Sequence, residues 1–114
     1  MIAGACHCGA VRIEIAEAPH EVTDCNCSIC RRLGALWAYY RPDQARVVAA
    51  PGATATYSWN DKIIAFHHCV TCGCTTHWTS LDARYADRMA INARLLEGRD
   101  LAPIAVRKFD GASM

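Results

Sequence analysis

The sequence predicts a mainly β fold of many short strands with metal-bearing loops, and three observations carry that reading. Cysteines punctuate the chain in three clusters: Cys6 and Cys8; Cys25, Cys27 and Cys30; Cys69, Cys72 and Cys74. Between the clusters lie short alternating or β-branched segments instead of long helical stripes. The chain has 114 residues, the size of one domain spanning 1–114, yet valine, isoleucine and leucine together number only 20, the same as alanine alone. A core so sparse in bulky aliphatic groups gains from an added staple, and metal is the obvious one.

The elements follow in order. Val11 to Ile15 alternates with its apolar residues at odd positions, which predicts a half-buried strand. A short helix is expected from Ser28 through Leu33, ending at Gly34. Ala35 to Tyr40 is aromatic-rich and reads as a strand, Pro42-Asp43 as a turn and Val47-Val48 as another short strand. Pro51-Gly52 is a turn signal. Thr54 to Trp59 is β-prone, and Asn60-Asp61 reads as a hairpin connection into Ile63 to His68. Thr75 to Thr79 and Met89 to Leu95 supply two further strands. A second helix is expected over Leu81 to Asp87 with Ser80 as its N-cap.

Composition narrows the function classes. The net charge is +1 with a pI near 7.6, and the strongest basic cluster is only Arg31-Arg32. That excludes a nucleic-acid module driven by phosphate contacts. Trp37, Tyr39, Tyr40, Trp59 and Trp78 are not interleaved with basic residues, so they read as core or pocket wall, not as a base-stacking platform. No segment approaches the ~18 apolar residues of a membrane span. The N-terminal residues show no signal-peptide pattern, and Cys6 already opens a motif. Cytoplasmic location is therefore expected, with reduced cysteines available as metal ligands.

Zinc takes about four tetrahedral ligands, with thiolate preferred; structural sites close all four positions, and catalytic sites leave one open. Cys69-Val70-Thr71-Cys72-Gly73 has the spacing of a zinc knuckle and supplies two ligands. Cys6 and Cys8, two apart on an extended segment, share one side and form the natural second pair. Cys25, Cys27 and Cys30 place three thiols in six residues. They read either as an open three-ligand site or as a second closed site completed by Cys74 or a histidine. Helix N-terminal amides and Arg31 are expected to favour their thiolates. The spacings do not match common iron–sulfur signatures. His67, His68 and His77 read as hydrogen-bonded structural residues, and His7 as pointing away from the ion.

The runs Gly4-Ala5-Cys6-His7-Cys8-Gly9-Ala10-Val11-Arg12, Cys25-Asn26-Cys27-Ser28-Ile29-Cys30-Arg31 and Phe66-His67-His68-Cys69-Val70-Thr71-Cys72-Gly73, with Ile91 to Leu96 as a closing strand, resemble those of a known family. It is the glutathione-dependent formaldehyde-activating enzyme family, which shares its domain with the centromere protein V group. The resemblance runs from about Gly4 to Gly98 and implies an Mss4-like zinc-binding β fold. By position, Cys6, Cys8, Cys69 and Cys72 would hold a structural zinc. Cys25, Cys27 and Cys30 would hold a second, labile zinc associated with catalysis. Cys74 lies outside the family pattern. The implied activity is that of a carbon–sulfur lyase or synthase joining a glutathione-like thiol to a formaldehyde-like aldehyde, with Arg31, Arg32, Asn92 and Arg94 as candidate substrate contacts. The implied partners are these two small molecules. The competing reading is a non-catalytic, zinc-stabilised module that binds a thiol or a protein. The chain is shorter than the enzyme that names the family, so the resemblance bears on fold and zinc sites more directly than on substrate.

Overall fold

A computed structural model describes residues 1–59 and 63–113. Ten strands form two sheets, and the mainly β expectation holds. The smaller sheet joins β1 (Ile2–Ala5), β2 (Val11–Ile15) and β5 (Ala45–Ala49), with β2 central and all pairs antiparallel. The larger sheet runs β10-β3-β4-β9-β8-β7-β6. Its strands are β3 (Glu21–Cys25), β4 (Trp37–Tyr40), β6 (Thr54–Tyr57), β7 (Ile64–Cys69), β8 (Thr75–Ser80), β9 (Met89–Asn92) and β10 (Ala105–Phe109). All its pairings are antiparallel except β10 beside β3, where Phe109 registers with Cys25.

The two sheets enclose the main core. Ile13 and Ile15 of β2 meet Val22, Ala38, Met89 and Ile91 of the larger sheet. The alternation in Val11 to Ile15 thus does what its period requires: odd positions are buried and Arg12 is exposed. The opposite face of the larger sheet carries Trp37, Phe66, Trp78 and Ala90, packed with Cys25, Cys30 and Ala35. Strand β9 lies between these two layers, and all four of its residues are buried.

Helix α1 (Ser28–Leu33) sits against that second face and ends at Gly34, whose φ of 66° is a left-handed cap that favours glycine. A four-residue helix α2 (Gly98–Leu101) precedes β10. Strands β1, β3 and β10 and helix α2 were not expected from pattern alone. The expected helix over Leu81 to Asp87 is replaced by a single 3-10 turn at Ala83–Tyr85. Ser80 remains in β8, its hydroxyl bonded to the Asp82 backbone, while the Asp82 carboxylate accepts from Arg84 N and grips its guanidinium. That local chelation holds a turn and competes with a longer helix. The Met89 to Leu95 strand stops at Asn92, which caps a 3-10 turn at Ala93–Leu95. The hairpin connection expected at Asn60-Asp61 lies outside the described residues.

Candidate metal centre and adjoining cavity

The first cluster is assembled from two distant loops. Cys6 and Cys8 lie in the tight loop between β1 and β2, where Gly9 adopts φ 83° and donates its N–H to Cys6 O. Cys69 ends β7, and Cys72 follows in a turn closed by Gly73 N to Cys69 O at 2.9 Å. The four sulfurs lie within 4.8 Å of one another. Two of the separations are 3.7 Å (Cys6 to Cys8) and 3.6 Å (Cys8 to Cys69). A tetrahedral zinc with bonds near 2.3 Å needs sulfurs about 3.8 Å apart. The cluster fits that ion.

Backbone amides are aimed at these sulfurs, as the knuckle geometry requires. Val11 N points at Cys6 Sγ at 3.4 Å. The N–H groups of Cys74 and Cys8 hold the Cys72 thiol down to about 5. Those of Cys72 and Thr71 lower Cys69. The Ala10 N–H favours the Cys8 thiolate, but desolvation and the neighbouring thiols of Cys69, Cys6 and Cys72 outweigh it and push Cys8 up to about 11. Cys74 is half-buried beside this group; the His7 N–H favours its thiolate, but Cys72 outweighs this and raises its pKa. It lies outside the four-sulfur set.

The second cluster is local. Cys25 ends β3, Cys27 is the N-cap of α1, and Cys30 lies in its first turn; the three sulfurs are within 4.8 Å of one another. Cys27 Sγ accepts from Cys30 N at 3.4 Å, which fixes the loop as a cap. Burial works against the Cys27 thiolate, yet the Cys30 N–H, the Cys30 and Cys25 side chains and the Ile29 N–H outweigh it and lower its pKa. The amides at the helix start do this work, and Arg31 is exposed. Burial pushes Cys30 up to about 12, although the Trp37 indole N–H donates to its sulfur at 3.4 Å. Neither Cys74 nor a histidine joins these three sulfurs among the described residues.

The three cysteines open on a cavity of about 590 Å³. The larger sheet contributes Trp37, Tyr39, Phe66 and Trp78 to its lining, and Trp59, Ile63 and Ile64 add further apolar surface. Phe109, which ends β10, and Gly111 and Ala112 just beyond it also line the cavity. Asn26 secures that last segment: its Nδ2 donates to Asp110 Oδ1 and its Oδ1 accepts from Ala112 N, both at 3.0 Å. At Gly111 a β-carbon would stand 2.6 Å from Cys25 Sγ, so the backbone approaches the sulfur as closely as glycine allows. Sequence reasoning missed this segment. The strand that delivers it, Ala105 to Phe109, is largely exposed and carries no alternating apolar signal.

The four residues expected at substrate stand elsewhere. Arg31 and Arg32 are exposed on α1, with Arg32 Nη1 donating to Ser28 O at 2.9 Å. Asn92 is buried and structural: its Oδ1 accepts from Leu36 N and Arg94 N, and its Nδ2 donates to Thr75 O. Arg94 Nε donates to Gly34 O at 2.8 Å. None of the four lines the cavity. Burial and strand pairing place Asn92, and a backbone carbonyl takes one guanidinium donor each of Arg32 and Arg94.

His67 and His77 are hydrogen-bonded within the sheet, as expected. His67 and His77 face each other across β7 and β8, stacked with centroids 4.0 Å apart and bonded to Thr79 and Thr76. Burial, then the proximity of His67, lowers His77 to about 3.

A mainly β scaffold with one four-sulfur cluster and one three-sulfur cluster beside a cavity defines a thiol-rich protein with two groups able to hold metal ions. Residues 1–109 match the profile of the glutathione-dependent formaldehyde-activating enzymes, and the chain belongs to that family. A solved structure of a Rhodobacter sphaeroides protein is similar as well. It shares 32% identity and a TM-score of 0.74, over 93% of this chain and 100% of that one. Among the described residues no helix is long and apolar enough to cross a membrane.

Proposed function

We propose that the protein joins a small thiol, of the glutathione type, to a small aldehyde, of the formaldehyde type, as an S-hydroxymethyl adduct. The observation that carries this reading is three cysteine sulfurs opening on an apolar cavity, in a chain of this family. In the reaction the thiol sulfur attacks the aldehyde carbon and a C–S bond forms. The carbonyl π pair moves to oxygen, and the proton lost by the thiol ends on that oxygen, so the elements of both reactants are retained.

Cys25, Cys27 and Cys30 would hold zinc, which when bound supplies an open position favouring the thiolate form of the incoming substrate. The backbone amides of Cys30 and Ile29 favour the thiolate form of Cys27. Trp37 presents its indole N–H to Cys30 and fixes that sulfur. The aromatic walls shield the sulfurs in part from water, which strengthens attraction between opposite charges. The four-sulfur cluster of Cys6, Cys8, Cys69 and Cys72 acts as a structural zinc site, tying the N-terminal loop to the β7–β8 turn. Cytoplasmic location and a single domain over 1–114 complete the proposal.

The test is adduct formation from glutathione and formaldehyde, followed by NMR with and without reduced, metal-loaded protein. Acceleration over the spontaneous reaction supports the proposal. A rate equal to the spontaneous one sinks it, and thiol binding without acceleration favours the non-catalytic module.

A further inference from the structure

Tyr39 and Trp78 line two cavities at once. One is the cavity of the three cysteines; the other, of about 530 Å³, is lined also by Tyr40, Arg41, Gln44, Asp87, Arg88 and Met89. The two rings meet edge to face at 6.2 Å and form a shared wall. The first cavity is lined by sulfur, aromatic and aliphatic groups with Ser28 as its one hydroxyl besides Tyr39, and has no arginine or lysine in its described lining. The second holds two cations and an anion.

Their availability differs. Arg41 Nε is engaged by Asp43 Oδ1 at 3.1 Å. Nearby Arg84 is taken up by Asp82 at 2.6 Å. Arg88 forms no ion pair among the described residues, and neither does Asp87. Arg88 is nonetheless positioned: its guanidinium lies 4.9 Å from the Tyr85 ring centroid, and its backbone N–H donates to Tyr85 O at 3.0 Å. A cation resting on an aromatic face keeps its outer N–H groups available to a carboxylate.

A thiol that also bears carboxylates cannot leave those charges in an apolar cavity without a large desolvation cost. The charged end must extend into a neighbouring space that compensates it. The cavity that shares Ile29 and Phe66 with the first contains no arginine or lysine in its described lining. The one across Tyr39 and Trp78 contains both signs of charge.

We propose that this second cavity is a subsite for the free α-amino-acid end of a peptide thiol, Arg88 taking its carboxylate and Asp87 its ammonium. The inference rests on the thiol reading above and deepens it. It makes Arg88 a specificity-determining residue.

Binding tests the subsite separately from turnover. S-methylglutathione, which cannot offer a thiolate, is titrated into metal-loaded wild type, Arg88→Ala, Arg88→Lys and Asp87→Asn by calorimetry, with circular dichroism to verify folding. Arg88→Ala should weaken binding about tenfold, the size of one charge-assisted hydrogen bond. Arg88→Lys should recover part of the loss, and Asp87→Asn should weaken binding less. In turnover, the preference for glutathione over 2-mercaptoethanol should fall about tenfold in Arg88→Ala, through KM. Equal affinity of wild type and Arg88→Ala overturns the subsite whether or not the protein turns over. An Arg88-dependent affinity without acceleration supports the subsite and removes the catalytic reading. No binding of S-methylglutathione to wild type overturns the subsite, while the rate of adduct formation tests the thiol reading separately.

Discussion

Replacing Asn92 with alanine separates a structural role from a substrate-binding one. Asn92 is only 6% exposed and joins three segments. Its Oδ1 accepts from Leu36 N and Arg94 N, each at 3.2 Å, and its Nδ2 donates to Thr75 O at 2.9 Å. In Asn92→Ala the exposed Arg94 segment can turn to water. Leu36 N and Thr75 O are left without partners, at about 1–3 kcal/mol each. The expected loss is therefore roughly 2–6 kcal/mol, a large share of the 5–15 kcal/mol typical of a domain. With a urea m-value of about 1–3 kcal/mol/M, the midpoint should fall by roughly 1–3 M. Asn92→Asp should also destabilise, because it retains the acceptor but sets an oxygen against the Thr75 carbonyl. The assay is urea denaturation of metal-loaded protein followed by tryptophan fluorescence, with KM for the thiol measured in parallel. An unchanged midpoint with a raised KM would refute the structural assignment and restore Asn92 as a substrate contact.

Four further outcomes are expected. Cys27→Ser should remain folded and lose one equivalent of metal by elemental analysis. Cys69→Ser should lose its fold, because a structural zinc contributes about 10–16 kcal/mol of apparent folding energy; a Cys69→Ser protein with parental circular dichroism would contradict this division of labour. Gly4→Ala should destabilise by about 1–3 kcal/mol, since its β-carbon would stand 2.5 Å from Leu95 O, whereas Gly98→Ala, with nothing within 4 Å, should show no such clash; equal thermal midpoints for the two variants would argue against that close approach. His77 is held near 3, below the ordinary 6.5, so the unfolded chain takes up this proton first as pH falls. Its contribution, a few kcal/mol at about 1.36 kcal/mol per unit, is complete above pH 6.5 and fades between 6.5 and 3. His77→Gln should flatten that part of the acid limb, and an acid limb as steep as the parent's would show that His77 is not its source.

Legibility in the sequence followed the range of each interaction. Strand β2 declared itself because one face meets the other sheet, so its burial imposes a period of two. Helix α1 was readable because Gly34 marks its end, and Cys27 to Cys30 form a local cap. The knuckle spacing of Cys69 and Cys72 was local too, whereas its meeting with Cys6 and Cys8 depends on the packing of both sheets. Strand β10 was invisible because it is an exposed edge held by pairing with β3, so its residues need no hydrophobic pattern. Its neighbour Gly111 could not be recognised as a sulfur contact, since the only signal is a missing side chain. Asn92 and Arg94 are ambiguous in sequence for a related reason. A polar side chain near a motif looks the same in sequence whether it meets a ligand or the backbone, and in the fold both side chains bond to backbone groups.

The parallel pairing of β10 with β3 also sets an order of events during synthesis. Cys25, Cys27 and Cys30 emerge from the ribosome within six residues and need no distant partner to come together. The four-sulfur cluster must wait for Cys72, and the cavity wall for Phe109 and Gly111. A nascent chain thus displays its reactive three-thiol loop well before the segment that shields it has been made. During that interval the loop is open to the first metal ion or oxidant it meets.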